Sequence, residues 1–284
     1  MYSVFGDESA DESKARVFAV TGVFGSESDW FSLKEAWIDR TGGRIFHATD
    51  CDTNQGECAS NSDADNKRLY KDLTQLLCCS KLMGRSHAVD LAGWRNAFPG
   101  TLDAGSDMPY YTCFRNVVQE CGDLALLSIP QEKVEFTFDH RLESNYNAGI
   151  LYDYMAKLKS WPASSYLQEK ISFASRKYIG IQAADLVARE TMKHLDNIVG
   201  PTKRNTRRSY SALLETKRFR FTFFDKQWFA DFRSDFARVA SSCGVDPKEY
   251  RAWLDERGLA DNISNRHRYM FEKHPPTRDA PMSE

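Results

Sequence analysis

The chain has no stretch of about 18 consecutive apolar residues, the length a bilayer-spanning helix needs. A helical membrane protein is thereby excluded. Its first residues, MYSVFGDESA, lack the basic start and the long apolar core of a secretory leader, so the expected compartment is the cytoplasm. The cysteines number seven, are scattered and include no CxxC pair, which fits free thiols in a reducing setting and leaves no zinc ribbon. No Gly-rich phosphate loop, GxSxG elbow or HExxH helix is present. That argues against a nucleotide kinase, a serine hydrolase and a zincin. The formal charge of -2 supplies no global basic field, so contact with nucleic acid would need a local patch. No internal repeat or low-complexity tract interrupts the chain.

What is present is a globular composition. With 284 residues and 42% hydrophobic side chains, the chain can bury the core of one large domain or of one domain with an appendage. YSVFGDE and ARVFAVTGVF are β-rich runs separated by the polar SADESK, which predicts an antiparallel hairpin. SDWFSLKEAWIDR carries Trp30, Leu33, Trp37 and Ile38 at helical spacing, with Ser28 or Asp29 as candidate N-cap. RIFHATDC reads as a short extended piece, NKRLYKDLTQLLCCSKL as a helix and GRSHAVDL as a third strand. In KVEFTFDH, Val134, Phe136 and Phe138 alternate with Glu135, Thr137 and Asp139, the period of a strand with one polar face. Helical NAGILYDYMAKLKSW, strand-like ISFAS and helical IGIQAADLVARETMKHL follow. Strands that begin as an antiparallel group and then alternate with helices predict an α/β or α+β sheet covered by helices.

A boundary is expected near Gly200 and Pro201, where the composition shifts. Residues 1–200 would form the α/β domain, and 201–284 a basic, aromatic and mostly helical extension ending in a disordered tail. Between Lys203 and Arg220 seven Lys and Arg residues face the single acid Glu215. Lys203, Arg204, Arg207 and Arg208, with Tyr210, Phe219 and Phe221 interleaved, have the makings of a substrate-binding phosphate surface. A solvated connector with basic helix ends is the duller reading of the same residues.

The acids suggest chemistry. In a regular pleat Phe5, Asp7 and Ser9 point one way and Val4, Gly6 and Glu8 the other, which makes Asp7 the stronger candidate of the two adjacent acids. Asp139 closes a strand on its polar face, where α/β sheets commonly build sites. In IGIQAADLVARE the residues Gln182, Asp185 and Arg189 form a row beside the apolar stripe of Ile181, Ala184, Val187 and Ala188. Carboxylates brought together from three segments are what Mg²⁺ or Mn²⁺ requires, and two such ions would activate water on a phosphodiester. Structural readings stand beside this: Asp185 pairing with Arg189 one turn on, and Asp139 opening an Asx turn. His47 and Asp50 in FHATD are a candidate proton carrier and extra ligand, against a plain hydrogen-bonded histidine. Nothing in the sequence requires His47, His87 and His140 to converge on zinc.

Taken together, FGDES before the hairpin strand VFAVTGVF, the strand ending in FDH, and SRKYIGIQAADLVA resemble the bacterial domain-of-unknown-function family 3800 over roughly residues 2 to 198. Its members carry an Asp-Glu-Ser motif on the first strand and Gln-x-x-Asp opening a late helix. Where many members have Gly after Asp-Glu-Ser, Ala10 stands here. The resemblance implies an α/β, ribonuclease H-like mixed sheet flanked by helices, with a carboxylate-bound pair of divalent ions. By carry-over, Asp7, Glu8, Asp139 and Asp185 would be catalytic metal ligands, and Ser9 and Gln182 substrate-side residues. The expectation is a Mg²⁺- or Mn²⁺-dependent nuclease acting on RNA or DNA, without a membrane. The alternative is a non-catalytic module on the same fold that recognises nucleic acid or a partner protein.

Overall fold

The computed structural model describes residues 1–97 apart from 12 and 14, then 108–129, 132–140, 145–231, 247–258 and Tyr269. The opening hairpin pairs β1 (Tyr2–Ala10) with β2 (Val17–Ser26) in antiparallel register from Tyr2↔Ser26 to Ala10↔Phe18. Asp11 fixes the turn. Its carboxylate accepts the backbone N–H groups of Arg16 at 2.8 Å and Val17 at 2.9 Å and the Ser13 hydroxyl at 2.6 Å. Burial pushes the Asp11 carboxyl up, but these donors outweigh it and hold it down at about 2.

β3 (Met83–Asp90) continues the antiparallel meander against β2. On the other edge β4 (Val134–Asp139) runs parallel to β1, and β5 (Ser172–Ala174) runs parallel to β4. The resulting order β5-β4-β1-β2-β3 is that of a ribonuclease H-like fold. A sixth strand, β6 (Phe219–Phe224), adds in parallel to the outer edge of β3. It lies beyond the boundary expected at Gly200 and Pro201, in the stretch read as mostly helical. Its alternation Phe219, Phe221, Phe223 is the strand period that the neighbouring basic residues obscure. The segment read as a disordered tail lies outside the described residues, apart from Tyr269 being placed just before it.

Helices cover both faces of the sheet. α5 (Met108–Ser128) packs on one face, where Phe114, Val117, Val118 and Cys121 join Val4, Val20 and Phe136 in the larger core. α7 (Ile179–Val199) lies across β1, β2 and β3 on the other, and Ala183, Ala184 and Val187 meet Val23, Leu33 and Trp37 there. Close approach at the start of α7 depends on Gly180, because a Cβ at that position would land inside the Phe5 ring. Farther along, a chain of hydroxyls ties the two layers: Thr21 contacts Ser86, and Ser86 meets Thr191 of α7 at 2.7 Å.

Outside α7 lie α1 (Glu27–Thr41) and α3 (Asp63–Cys79). The N-cap of α1 is Ser26 rather than Ser28 or Asp29, with Asp29 closing a capping box, so strand β2 runs directly into the helix. RIFHATDC is extended only to His47. Ala48–Thr53 forms the short helix α2, ended by Asn54 in the left-handed region. The shorter α4 (Leu91–Ala97), α6 (Asn145–Ala156) and α8 (Arg208–Glu215) complete the labelled elements. Among the described residues no helix is long and apolar enough to cross a membrane.

Candidate functional site

The parallel pairing of β1 and β4 reaches Gly6↔Phe138, and one residue further on each strand carries an acid, Asp7 and Asp139. Gly6 is required there by the neighbouring strand, since a Cβ would collide with the Phe138 ring. Asp7 lies on the α7 side of the sheet, the side of its β2 register partner Thr21. Helix α7 brings Asp185 to the same place. Asp7 is 7% exposed and Asp185 5% exposed, so two ionisable acids from positions 178 residues apart are buried within each other's field (185 minus 7).

The electrostatics follow from that placement. Burial raises the Asp7 carboxyl well above the ordinary range, and the charges of Asp185, Glu8 and Asp139 push it further in the same direction. Against these acts one hydrogen bond, from the Glu8 backbone N–H to Asp7 Oδ1 at 2.7 Å. Burial raises Asp185 too, opposed by the nearby charges of His47, Arg176 and Arg189 and by the Ala48 N–H. That N–H donates to Asp185 Oδ2 at 2.7 Å. The Asp185 carboxylate therefore caps the start of α2, where the helix dipole favours negative charge. The alternative structural reading, an ion pair of Asp185 with Arg189, does not form. Arg189 Nη2 instead donates to Asp52 Oδ2 at 3.0 Å.

Glu8 and Ser9 line a cleft of about 190 Å³ together with His47, Thr49 and Asp185. His47 Nε2 stands 3.9 Å from Asp185 Oδ2, and its Nδ1 is 3.1 Å from Asp50 Oδ1. The His47 Nδ1 atom is buried and out of hydrogen-bond alignment with that neighbour. Of the two FHATD residues singled out in the sequence, His47 lines the cleft, and Asp50 touches it only through His47. His87 and His140 do not join them: His87 is buried on the α5 face, 3.3 Å from Glu120 Oε1, and His140 follows the end of β4.

Of the residues expected on the substrate side, Ser9 lines the cleft and Gln182 does not. Gln182 is a buried structural amide. Its Oε1 accepts from Trp37 Nε1 at 3.0 Å and from the Phe46 N–H at 3.1 Å, and its Nε2 donates to the Arg176 carbonyl at 3.0 Å. No acceptor lone pair of that amide is left for a ligand. Arg207 likewise belongs to the framework: Nη1 donates to Asp52 at 2.8 Å and Nε contacts Glu190 at 2.9 Å. Lys203 donates to the Ile198 carbonyl, while Arg204 and Arg208 are exposed. The basic residues thus have separate surroundings, Arg207 in the Asp52 and Glu190 network and Lys203 at the end of α7, and none of the described ones lines the cleft at Asp185.

Sequence reasoning missed the buried network next to the cleft. Glu190, fully buried, accepts from Tyr70 Oη at 2.7 Å and Ser209 Oγ at 2.6 Å as well as pairing with Arg207. Asp52 bridges Arg189 and Arg207. The available signal was the Arg-Glu pair one turn after Asp185 on a helix otherwise apolar toward the sheet. Acids on such a face need partners from elsewhere in the chain.

The donors at Asp7, Asp185, Glu8 and Asp139 are all carboxylate oxygens, the chemistry that hard divalent cations select. Among the described residues no three His, Cys, Asp or Glu side chains stand close enough together to enclose an ion as they are oriented. The fit is one of chemistry and burial. Asp7 makes no ion pair among the described residues, so the repulsion raising its pKa has no protein cation bonded to it.

Fold and site together define a ribonuclease H-like α/β protein with an aspartate pair buried between its first strand and helix α7. The chain matches no protein-family model and no curated protein. Among solved structures it is similar to Bst ribonuclease HIII in complex with Mn²⁺, at 12% identity and a TM-score of 0.39 over 75% of this chain. The matched part is 64% of the ribonuclease HIII chain, so this protein spans less than two thirds of that relative. A chain of the PCNA:RNase HII complex from Archaeoglobus fulgidus is similar at 12% identity and a TM-score of 0.37, over 76% of this chain and 87% of that one. What places this protein in the fold is its own strand order.

Proposed function

We propose that this protein is a divalent-metal-dependent nuclease that hydrolyses phosphodiester bonds of RNA or DNA at the cleft formed by Asp185, Glu8 and His47. The observation that carries this reading is the burial of Asp7 and Asp185 within each other's field, with the Asp7 carboxyl raised by burial and by Asp185, Glu8 and Asp139 and bonded to no cation among the described residues. Such an arrangement costs stability in the isolated protein and is relieved by a dication. The motifs FGDES and IGIQAADLVA, and with them the resemblance to family 3800, sit on the two elements that make the pair.

Asp7 and Asp185 would hold the metal, with Glu8 and Asp139 completing its anionic surroundings. Bound Mg²⁺ or Mn²⁺ supplies polarisation of the phosphate and acidification of a water. The chain itself does the rest. The Ala48 N–H fixes the Asp185 rotamer, and the Glu8 N–H fixes that of Asp7. Phe18 and Ala10 give the cleft an apolar wall. His47 presents Nε2 beside Asp185, within reach of a leaving or attacking oxygen seated at that carboxylate.

Cleavage of a labelled panel of RNA, DNA and hybrid in Mn²⁺, comparing wild type with Asp185→Asn, tests the assignment. Chelator-sensitive cleavage that falls about 100-fold or more in the variant is expected, since losing a ligand should exceed the 10- to 100-fold cost of losing a supporting contact. Cleavage in chelator, or cleavage untouched by the substitution, contradicts it. A non-catalytic nucleic-acid-binding module is the second reading, favoured by the orientation of the four acids, no three of which enclose an ion as they stand.

A further inference from the structure

We propose that a second, larger cavity between α2, α3 and α8 holds an unpaired nucleotide unit of the single strand that enters the Asp185 cleft. This cavity measures about 640 Å³, within the range of small-ligand pockets. Cys51, Tyr70 and Ala212 give it an apolar wall. Its floor is electrically balanced: Asp52 and Glu190 are matched by Arg189 and Arg207 through contacts of 2.8 to 3.0 Å. Such a floor is rigid and carries no charge left to satisfy.

The rim is different. Lys67 is held by Asp63 at 2.6 Å, but Lys71 and Arg208 line the opening with no ion-pair partner among the described residues. Two cations with no ion-pair partner among the described residues, above a neutral, partly apolar floor, suit a ligand with an anionic group and a flat apolar body. A nucleotide has that chemistry. The first turn of α8 adds to it, because Arg207 at the N-cap makes no side-chain cap and the helix starts at the cavity wall.

Position links the cavity to the proposed chemistry. Thr49 borders the small cleft, while Cys51 and Asp52 border the large one, only about 3 to 4.5 Å further along the axis of the same helix α2. On α7, Asp185 serves the cleft, and Arg189 one turn on supports the floor of the cavity. A strand whose scissile phosphate lay at Asp185 would carry a neighbouring unit over α2 into this space. Enclosure between helices requires that unit to be unstacked and unpaired, which selects single strands over duplex. The identity of the strand rests on the nuclease reading, whereas the cavity and its charges do not.

The test is equilibrium binding by fluorescence anisotropy in chelator, with labelled single-stranded RNA and DNA of about ten nucleotides, a length within the range such sites cover. Lys71→Glu with Arg208→Glu is expected to weaken binding at least tenfold. Ala212→Trp, which fills the cavity without changing charge, should weaken it several-fold, and Lys159→Glu outside the cavity less than twofold. Duplex of the same sequence should bind at least tenfold more weakly. Thermal melting confirms that each variant is folded, and the rim pair decides the matter should the tryptophan variant fail. Binding unchanged by both sets of variants, equal loss in Lys159→Glu, or equal affinity for duplex overturns the proposal. Nucleoside monophosphates that displace the oligonucleotide with comparable affinity assign the cavity to free nucleotides and overturn its link to the strand. Because no cleavage is read, a protein that binds in this way and never cuts refutes the nuclease reading alone.

Discussion

Asp7 and Asp185 are individually unfavourable side chains, each a carboxylate taken out of water beside another. A carboxyl whose pKa is raised in the folded state opposes folding once pH exceeds its unfolded value, so at neutral pH Asp7 weakens the fold. Asp7→Asn is therefore expected to raise the melting temperature in chelator while abolishing metal-dependent cleavage, as calorimetry and the cleavage assay together would show. Loss of stability in that variant would mean that the carboxylate serves structure. Arg207 is the opposite case. It is a cation whose removal leaves Glu190, with none of its surface exposed, short of its charge partner. Arg207→Ala should cost about 3–5 kcal/mol in denaturant unfolding, and Arg207→Lys should recover part of it while losing the planar fork that reaches both acids. The aspartates were readable from sequence because each sits in a local pattern, one on a strand and one in a helical row. Arg207 was read as free because its partners, Asp52 and Glu190, stand 155 and 17 residues away.

At the level of elements, the site depends on how closely β1, β4 and α7 approach. Gly6 admits the Phe138 ring, and Gly180 admits Phe5. A methyl group at either would separate the elements that carry Asp7, Asp139 and Asp185. The hairpin that presents β1 has its own lock in Asp11. Its folded carboxyl, at about 2, lies below the ordinary value of 3.8, so its contribution is complete above pH 4 and is lost as pH falls through 2. Asp11→Ala should cost about 2 kcal/mol at pH 7 and progressively less in acid below pH 4, followed by urea unfolding across that range. A cost that stays constant into acid would assign the effect to packing instead. Alternation and hydrophobic period made the hairpin, α3, β3, β4 and α7 legible. β6 was hidden because Arg220 places charge where the edge strand faces water and Arg218 stands just before it, which from sequence alone resembles a binding patch. The turn from β2 directly into α1 was hidden for a related reason: Ser26, Ser28 and Asp29 are all capable caps, and only the register of β2 selects Ser26.

For the molecule as a whole, one sheet carries two kinds of buried charge on its α7 side. The network of Asp52, Arg189, Glu190 and Arg207 is balanced and binds α2, α3, α7 and α8 into a frame. Asp7 on β1 is not balanced among the described residues, since Asp185, Glu8 and Asp139 all raise it, and the frame holds it and Asp185 buried in each other's field. A strand order can be inferred from a chain's pattern. Which buried acids have found partners is set by segments far apart in sequence. The most direct measurement is a calorimetric titration of the metal-stripped protein with Mn²⁺, alongside Asp7→Asn and Asp185→Asn. Saturable binding, weakened about tenfold or more by either substitution, is the predicted result. Binding of equal strength in all three proteins, or none in the wild type, would contradict the account.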